Sequence, residues 1–410
     1  MLFSASLIAF LIWVVLTLAW GNFWRVWESD ADRARFPVPA SWPRVAAVIP
    51  ARNEAASIEA AVRALAGQDY SGELSLIVVD DHSDDATSHL ALSAASETEP
   101  RFAIRVISAP ELPGGWTGKL SALNAGVSAS SSTATLVYPE ERRGCAALSI
   151  GPTTAPTSTS LRPEFFWFTD ADVVHAPDTL RGLVTRAENC QLDLSSLMVL
   201  LKADTFAERL LIPPFLYFFL MLYPPKWIAD RNGRTAGAAG GCVLLRRAAL
   251  ERIGGLVVIR GELIDDCALA RAVKNSGGKI WMGLTRASRS LRSYETVSEI
   301  RDMIARTAFT QLHYSTLLLL GTLVGMALTF LLPVALTFST DIRVWPLALA
   351  AWCLMTASFL PTATFYRLHP IWAPLLPLAA LFYTYATLLS AVRYWLGRGG
   401  QWKGRAQAAK

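Results

Sequence analysis

Two aspartates one residue apart, Asp170 and Asp172, close an apolar run of four aromatic residues, Phe165 to Phe168. Like charges at that spacing repel unless a cation lies between them. Hard carboxylate oxygens that leave coordination positions open to phosphate oxygens and water suit a divalent ion, Mg2+ or Mn2+. A lone Asp-x-Asp is a weak signal, since such tripeptides also arise by chance and often only cap helices. Its company strengthens it. Asp80 and Asp81 end another apolar run, where carboxylates can accept hydrogen bonds from a base edge or from sugar hydroxyls. Asn53 and Glu54 stand where a loop opens a helix, and the backbone donors there suit a nucleotide. Lys119, in "GKLSALNAG", supplies a point positive charge for a diphosphate.

The elements that must position these groups follow from periodicity. Val45 to Ile49 is a short apolar run, and Ile58, Val62 and Leu65 then recur at helical spacing behind Ser57 as N-cap. Leu74 to Val79 repeats the strand, loop and helix unit, "FAIRVISAP" is a third strand, and "FFWFTDADVV" is a core strand. Strands alternating with helices predict an α/β domain, a Rossmann-like, mostly parallel sheet covered on both faces. Ligands bind at the carboxyl ends of such strands, where Arg52-Asn53-Glu54, Asp80-Asp81 and Asp170-Asp172 all fall. Residues 128–163, rich in Ser, Thr, Pro and Ala, break the rhythm and read as a flexible insertion.

The 410-residue chain is 52% hydrophobic and 17% charged, too apolar for an ordinary soluble enzyme. Residues 1–24, 316–340, 344–366 and 370–392 carry no charged side chain, and each is long enough to cross a hydrocarbon core of about 30 Å. The first lacks a basic leader and an Ala-x-Ala cleavage site, so it reads as a retained anchor. Arg25, Arg33, Arg35 and Arg44 follow it, which by the positive-inside rule puts residues 25–315 in the cytoplasm of a multi-pass inner (cell) membrane protein. The C-terminal region, 316–392, holds two or three spans. Three would leave the basic tail, 393–410, outside and against that rule; either the segment with Pro374 and Pro377 is re-entrant, or another segment does not span. Residues 210–225 are very apolar but short and proline-broken, and read as a segment lying at the bilayer interface.

The net charge of +5 is spread out, with basic residues near the span ends, which indicates membrane-surface attraction and no nucleic-acid partner. The five cysteines show no paired spacing, and His82, His89, His175, His313 and His369 show no metal-ligand spacing, so neither disulfides nor a zinc site is expected.

Four motifs in order, "PARNE", "VVDDHSDDAT", "GKLSALNAG" and "TDADVVHAPDTL", resemble those of the glycosyltransferase family 2 enzymes with a GT-A fold. Within that family the chain is most similar to the hopanoid-biosynthesis-associated membrane glycosyltransferases and, more distantly, to ceramide glucosyltransferases. The resemblance covers residues 44–315. It implies that Pro50, Arg52, Asn53, Glu54, Asp80 and Asp81 line the nucleotide site, that Lys119 and Asp170 approach the diphosphate, and that Asp170 and Asp172 form the metal motif. It also implies that Gly240 and Gly241 lie on the acceptor side, their lack of a side chain allowing close backbone approach, and that in Asp265-Asp266 the second residue matches the catalytic base. Inverting transfer needs a carboxylate to take the acceptor hydroxyl's proton as the anomeric carbon is attacked. The same two residues could also cap the following helix.

One departure concerns the Gln-x-x-Arg-Trp signature of relatives that make polymers or glucosylceramide. Here "RDMIARTAFTQLHYS" stands in its place, leaving Arg306 and Gln311 as substitutes toward the diphosphate and making processive synthesis less expected. The function expected is transfer of a sugar from a nucleotide sugar, a UDP-sugar by default, to a membrane lipid. The alternatives are a polyprenyl-phosphate sugar transferase or polysaccharide synthase, and a non-catalytic membrane scaffold.

Overall fold

The computed structural model describes residues 1–97, 102–131 and 162–397, with the backbone of 401–402 and 405–406. The expected flexible insertion lies almost wholly outside the described residues, as does most of the basic tail. The chain divides into two compact units, one of Glu28–Leu201 with Arg231–Arg292, the other of Met1–Trp27, Lys202–Asp230 and Ser293–Gln401. Residues 202–230 and 293–315, which the sequence placed inside a continuous 44–315 domain, thus fall with the apolar helices.

The first unit is built on an eight-stranded sheet. Its strands are β1 (Val45–Ala51), β2 (Leu74–Asp80), β3 (Ala103–Ser108), β4 (Phe165–Thr169), β5 (Val173–Val174), β6 (Leu194–Leu200), β7 (Cys242–Arg246) and β8 (Ile280–Ser290). They lie in the order β3-β2-β1-β4-β7-β6-β8-β5. β3, β2, β1 and β4 run parallel, as do β6 and β8, while β7 runs antiparallel to β4 and β6 and β5 antiparallel to β8. Strands β1 and β4 are buried along their whole length, which explains their unbroken apolar runs in place of alternation. Val45, Ile49, Leu76, Trp167 and Leu244 meet the helix residues Ile58, Val62, Leu65 and Leu180 in one core on a single face. On the other face the helix Gly118–Ser130 approaches so closely that a Cβ on Gly126 would stand 2.3 Å from Val48 Cγ1. Only glycine fits there.

The topology decides where chemistry can occur. Ala51, Asp80 and Thr169 end parallel neighbours, so the chain leaves all three strands on one edge of the sheet. Because β7 is antiparallel, with Cys242 opposite Thr169, its beginning reaches that same edge.

The second unit is helical. Among the described residues four helical stretches, Phe206–Ala229, Thr316–Thr337, Trp345–Phe365 and Pro370–Trp395, are long and apolar enough to cross a membrane, and Leu2–Leu18 is a shorter apolar helix. The stretch read as too short and proline-broken, 210–225, is corrected in this respect. The helix Phe206–Leu222 runs through Pro213 and Pro214 after a complete capping box between Thr205 and Glu208. A third proline is accommodated differently. Pro333 cannot donate to the carbonyl four residues back, the backbone widens to a π turn over Ala327–Leu331, and the Trp13 indole N–H takes the Thr329 carbonyl at 2.8 Å.

Candidate active site

The loops after β1 and β2 are laced to each other. Arg52 is buried and its guanidinium donates to the carbonyls of Asp81 and, at 2.9 Å, of His82. Asn53, with φ of 50°, accepts from the Asp84 N–H at 2.9 Å and donates its own N–H to Ser83 at 3.0 Å. The Glu54 N–H bonds Thr87 at 2.8 Å, and Asp80 accepts from the Ser83 hydroxyl at 2.5 Å. These groups therefore shape a hydrogen-bonded rim. Ser57 does stand at the N-cap of Ile58–Ala66, but its hydroxyl turns back to the Glu54 carbonyl at 3.3 Å.

Pro50, Lys119, Asp170, Gly240, Asp265 and Asp266 line one cavity. Thr117 caps the helix Gly118–Ser130 by accepting from the Leu120 N–H at 3.3 Å, which sets Lys119 in its first turn. The Lys119 ammonium lies 2.8 Å from Asp170 Oδ1 and 3.6 Å from Asp265 Oδ2. Burial alone would lower its pKa, but Asp170, Asp265 and Asp266 outweigh burial and raise it, so the cation stays charged.

Asp266 sits in the first turn of the helix Asp265–Asn275. One carboxylate oxygen accepts from the Gly240 N–H at 2.8 Å and the other from the Cys267 N–H at 2.7 Å. Burial, and then Asp265 beside it, push its pKa up to about 6 against the pull of Lys119 and the two N–H donors. Such a group is ionised at neutral pH and still basic enough to accept a proton. A Cβ on Gly240 would stand 3.2 Å from Lys119 Nζ and 3.4 Å from Asp266 Oδ2, so any side chain there would crowd both charged groups. Gly241 packs instead against Val199 and Val173.

Asp172 is fixed by β8. Its carbonyl accepts from the Leu291 N–H at 2.7 Å and its carboxylate from the Ser290 hydroxyl at 3.3 Å. Burial, then Asp170 and Glu54, push its pKa up to about 6, opposed by Arg292. The clustered carboxylates thus favour added positive charge, which is the condition a divalent ion meets. Among the described residues no three His, Cys, Asp or Glu side chains are gathered into a cage. An ion held by Asp170 and Asp172 would complete its shell from phosphate oxygens and water, as Mg2+ commonly does.

Of the residues expected toward the diphosphate, Arg306 and Gln311 belong to the helical unit, where Gln311 Nε2 donates to the Tyr223 hydroxyl at 2.7 Å. His82 is exposed, with its ring nitrogen 3.5 Å from the Pro110 carbonyl. Ser290 and Arg292 were missed because "SLRSYE" carries no local signal; only strand pairing brings it beside Asp172.

With the geometry in place, likeness to known proteins decides the class. A family described as "Glycosyltransferase like family 2" matches residues 43–310. The chain belongs to that family. Its architecture is the GT-A fold, and it is a glycosyltransferase. Among solved structures it is similar to the mannosyltransferase PcManGT from Pyrobaculum calidifontis, in complex with GDP-Man and Mn2+. The TM-score is 0.53 and identity 18%, over 96% of this chain and 99% of that one. It also matches the glucosyl-3-phosphoglycerate synthase of Mycobacterium tuberculosis, with TM-score 0.38 and 19% identity over 66% of this chain and 80% of that one. No curated protein matches the sequence.

Proposed function

We propose that this family 2 glycosyltransferase is a divalent-cation-dependent, inverting enzyme. It moves a sugar from a nucleoside-diphosphate donor to the hydroxyl of a membrane lipid, of the hopanoid or sphingolipid class. The observation that carries the reading is one cavity holding Lys119 between Asp170 and Asp265, with Asp266 bonded to Gly240. Asp170 and Asp172 would hold Mg2+ or Mn2+, which supplies charge neutralisation on the departing diphosphate. Lys119 carries a fixed positive charge at the same place. Asp266 accepts the acceptor's proton as that hydroxyl attacks the anomeric carbon from the face opposite the leaving group. Asp265 keeps Asp266 basic and orients Lys119. The rim of Arg52, Asn53, Glu54, Asp80 and Asp81 positions the nucleoside. Bound GDP-Man and Mn2+ in the PcManGT structure support a nucleotide-sugar donor and a metal, and leave GDP beside UDP as the base to test.

The lipid acceptor is supported by the apolar helices, whose side chains at Leu317, Leu318 and Leu320 are exposed. It is supported also by the turn Leu256–Ile259, where Leu256 and Ile259 line the cavity while Val257 and Val258 are exposed. Arg25 after the first helix and a cytoplasmic active site at the inner membrane complete the reading, since soluble donor and apolar acceptor then meet at one place. No observation favours the polyprenyl-phosphate or polymer alternative, and family membership weighs against the scaffold.

The test is incubation of purified protein and Mn2+ or Mg2+ with UDP- and GDP-sugars and a lipid extract, read by mass spectrometry. A lipid heavier by one sugar is expected. Transfer only to water-soluble acceptors, or release of long polymers, would refute it.

A further inference from the structure

The buried groups behind the cavity include one titratable side chain to which the reaction assigns no role. His175 is buried, with its ring 4.7 Å from that of Trp167. Its Nε2 lies 2.7 Å from the Thr169 hydroxyl and its Nδ1 lies 2.9 Å from the Ser288 hydroxyl. The Thr169 hydroxyl also lies 3.2 Å from the Gly241 carbonyl and 3.4 Å from the Asp170 carbonyl. Both carbonyls can only accept, and the arrangement that gives one of them the single Thr169 proton has the Thr169 oxygen accepting from His175 Nε2–H. Nδ1 is then the acceptor, taking the Ser288 proton, and Ser288 accepts in turn from Thr179 at 3.3 Å. The opposite polarity, with the Thr169 hydroxyl donating to Nε2, would take this donor away from the Gly241 carbonyl in a buried place, which is costly. Burial lowers the imidazole pKa to about 3, so the ring is neutral and the polarity is not reset by pH near neutrality.

With that polarity the chain of bonds runs one way, from Thr179 through Ser288, His175 and Thr169 to the Gly241 carbonyl. Both ends of the chemistry meet at its last link. Thr169 directly precedes Asp170, and Gly241 directly follows Gly240, whose N–H holds Asp266. Cys242, next along, pairs with Thr169 across the sheet.

We infer that His175 and Thr169 are positioning residues, which set the distance between the Asp170–Asp172 pair and the Asp266 carboxylate by a buried hydrogen-bond chain of fixed direction. This inference rests on the proposed roles of those carboxylates. It makes the gap in which the anomeric carbon and acceptor hydroxyl meet a property of the sheet's interior. A shift of about 1 Å between reacting groups is enough to cost about 100-fold in rate.

The test uses the full-length enzyme. Thr169→Val keeps the shape and removes the hydroxyl, whereas Thr169→Ser keeps it. The expected result is a fall in kcat of about 10- to 100-fold for Thr169→Val, with nucleotide affinity within about threefold of wild type, and recovery to within about threefold in Thr169→Ser. NMR of 15N-histidine-labelled enzyme gives a readout independent of turnover and of whether the valine variant folds: His175 is expected as the Nε2–H tautomer. An Nδ1–H tautomer, or wild-type kcat in Thr169→Val, would overturn the inference. If Asp266→Asn still transfers sugar, the functional reading itself falls; if it is dead while Thr169→Val is normal, only the positioning role falls.

Discussion

Lys119 Nζ stands 2.8 Å from Asp170 Oδ1, so one helix's first turn supplies the cation that meets the carboxylate leaving β4. The same ammonium lowers the pKa of Asp266. Lys119→Gln should therefore do two things. It should cut kcat by about 100-fold, the scale of losing one preorganised charge at a leaving group. It should also move the acid limb of the pH–rate profile to higher pH, because Asp266 loses a neighbour that favoured its ionised form. A profile measured from pH 5 to 8 checks this; an acid limb that stays in place would show that Lys119 does not act on the base.

Asp266 itself predicts the shape of the wild-type profile. A base must be deprotonated to act, and burial and Asp265 hold this one at about 6. Activity should rise with pH through that value and level off above it. Asp266→Asn, which keeps the shape and removes the basicity, should lower kcat by about 100- to 10,000-fold while nucleotide binding persists. Titration calorimetry with nucleoside diphosphate separates the two effects.

Metal removal is the third prediction. Chelation should abolish transfer, and Mn2+ or Mg2+ should restore it. Asp172→Asn should weaken the restoring effect at least tenfold in metal concentration, since it removes one of two hard ligands. Manganese binding followed by electron paramagnetic resonance reads this without turnover; unchanged binding in the variant would place the ion elsewhere.

Gly126 offers a stability prediction far from the chemistry. Its missing side chain is what lets the helix carrying Lys119 lie against Val48 and Val79. Gly126→Ala should destabilise the enzyme by about 1–3 kcal/mol through overpacking, despite alanine's better helix propensity. A higher melting temperature in the variant would contradict the close approach.

Much of this was legible from residues in order. The apolar runs of β1, β2 and β4 announced buried parallel strands, and the polar clusters after them fell at strand ends, because a strand's carboxyl edge is fixed once its direction is. Charge-free segments announced apolar helices, since their length and composition alone meet the requirement for crossing a bilayer. Local patterning did not reach the rest. It judged 210–225 by its prolines, whereas Pro213 and Pro214 are carried inside a helix capped by Thr205 and Glu208.

The sequence by itself determined which residues could do chemistry and that strands would present three clusters of them: Arg52 to Glu54, Asp80-Asp81 and Asp170-Asp172. Resemblance to a family named Gly240 and Asp266, but only the tertiary structure decided that they bond each other beside Asp170, because that depends on β7 running antiparallel beside β4, with Cys242 opposite Thr169. Strand direction is set by packing between distant segments and leaves no mark in local spacing. For the same reason Ser290 reached Asp172, and His175 became a buried link between strands, through pairings that no neighbouring residue in the chain records.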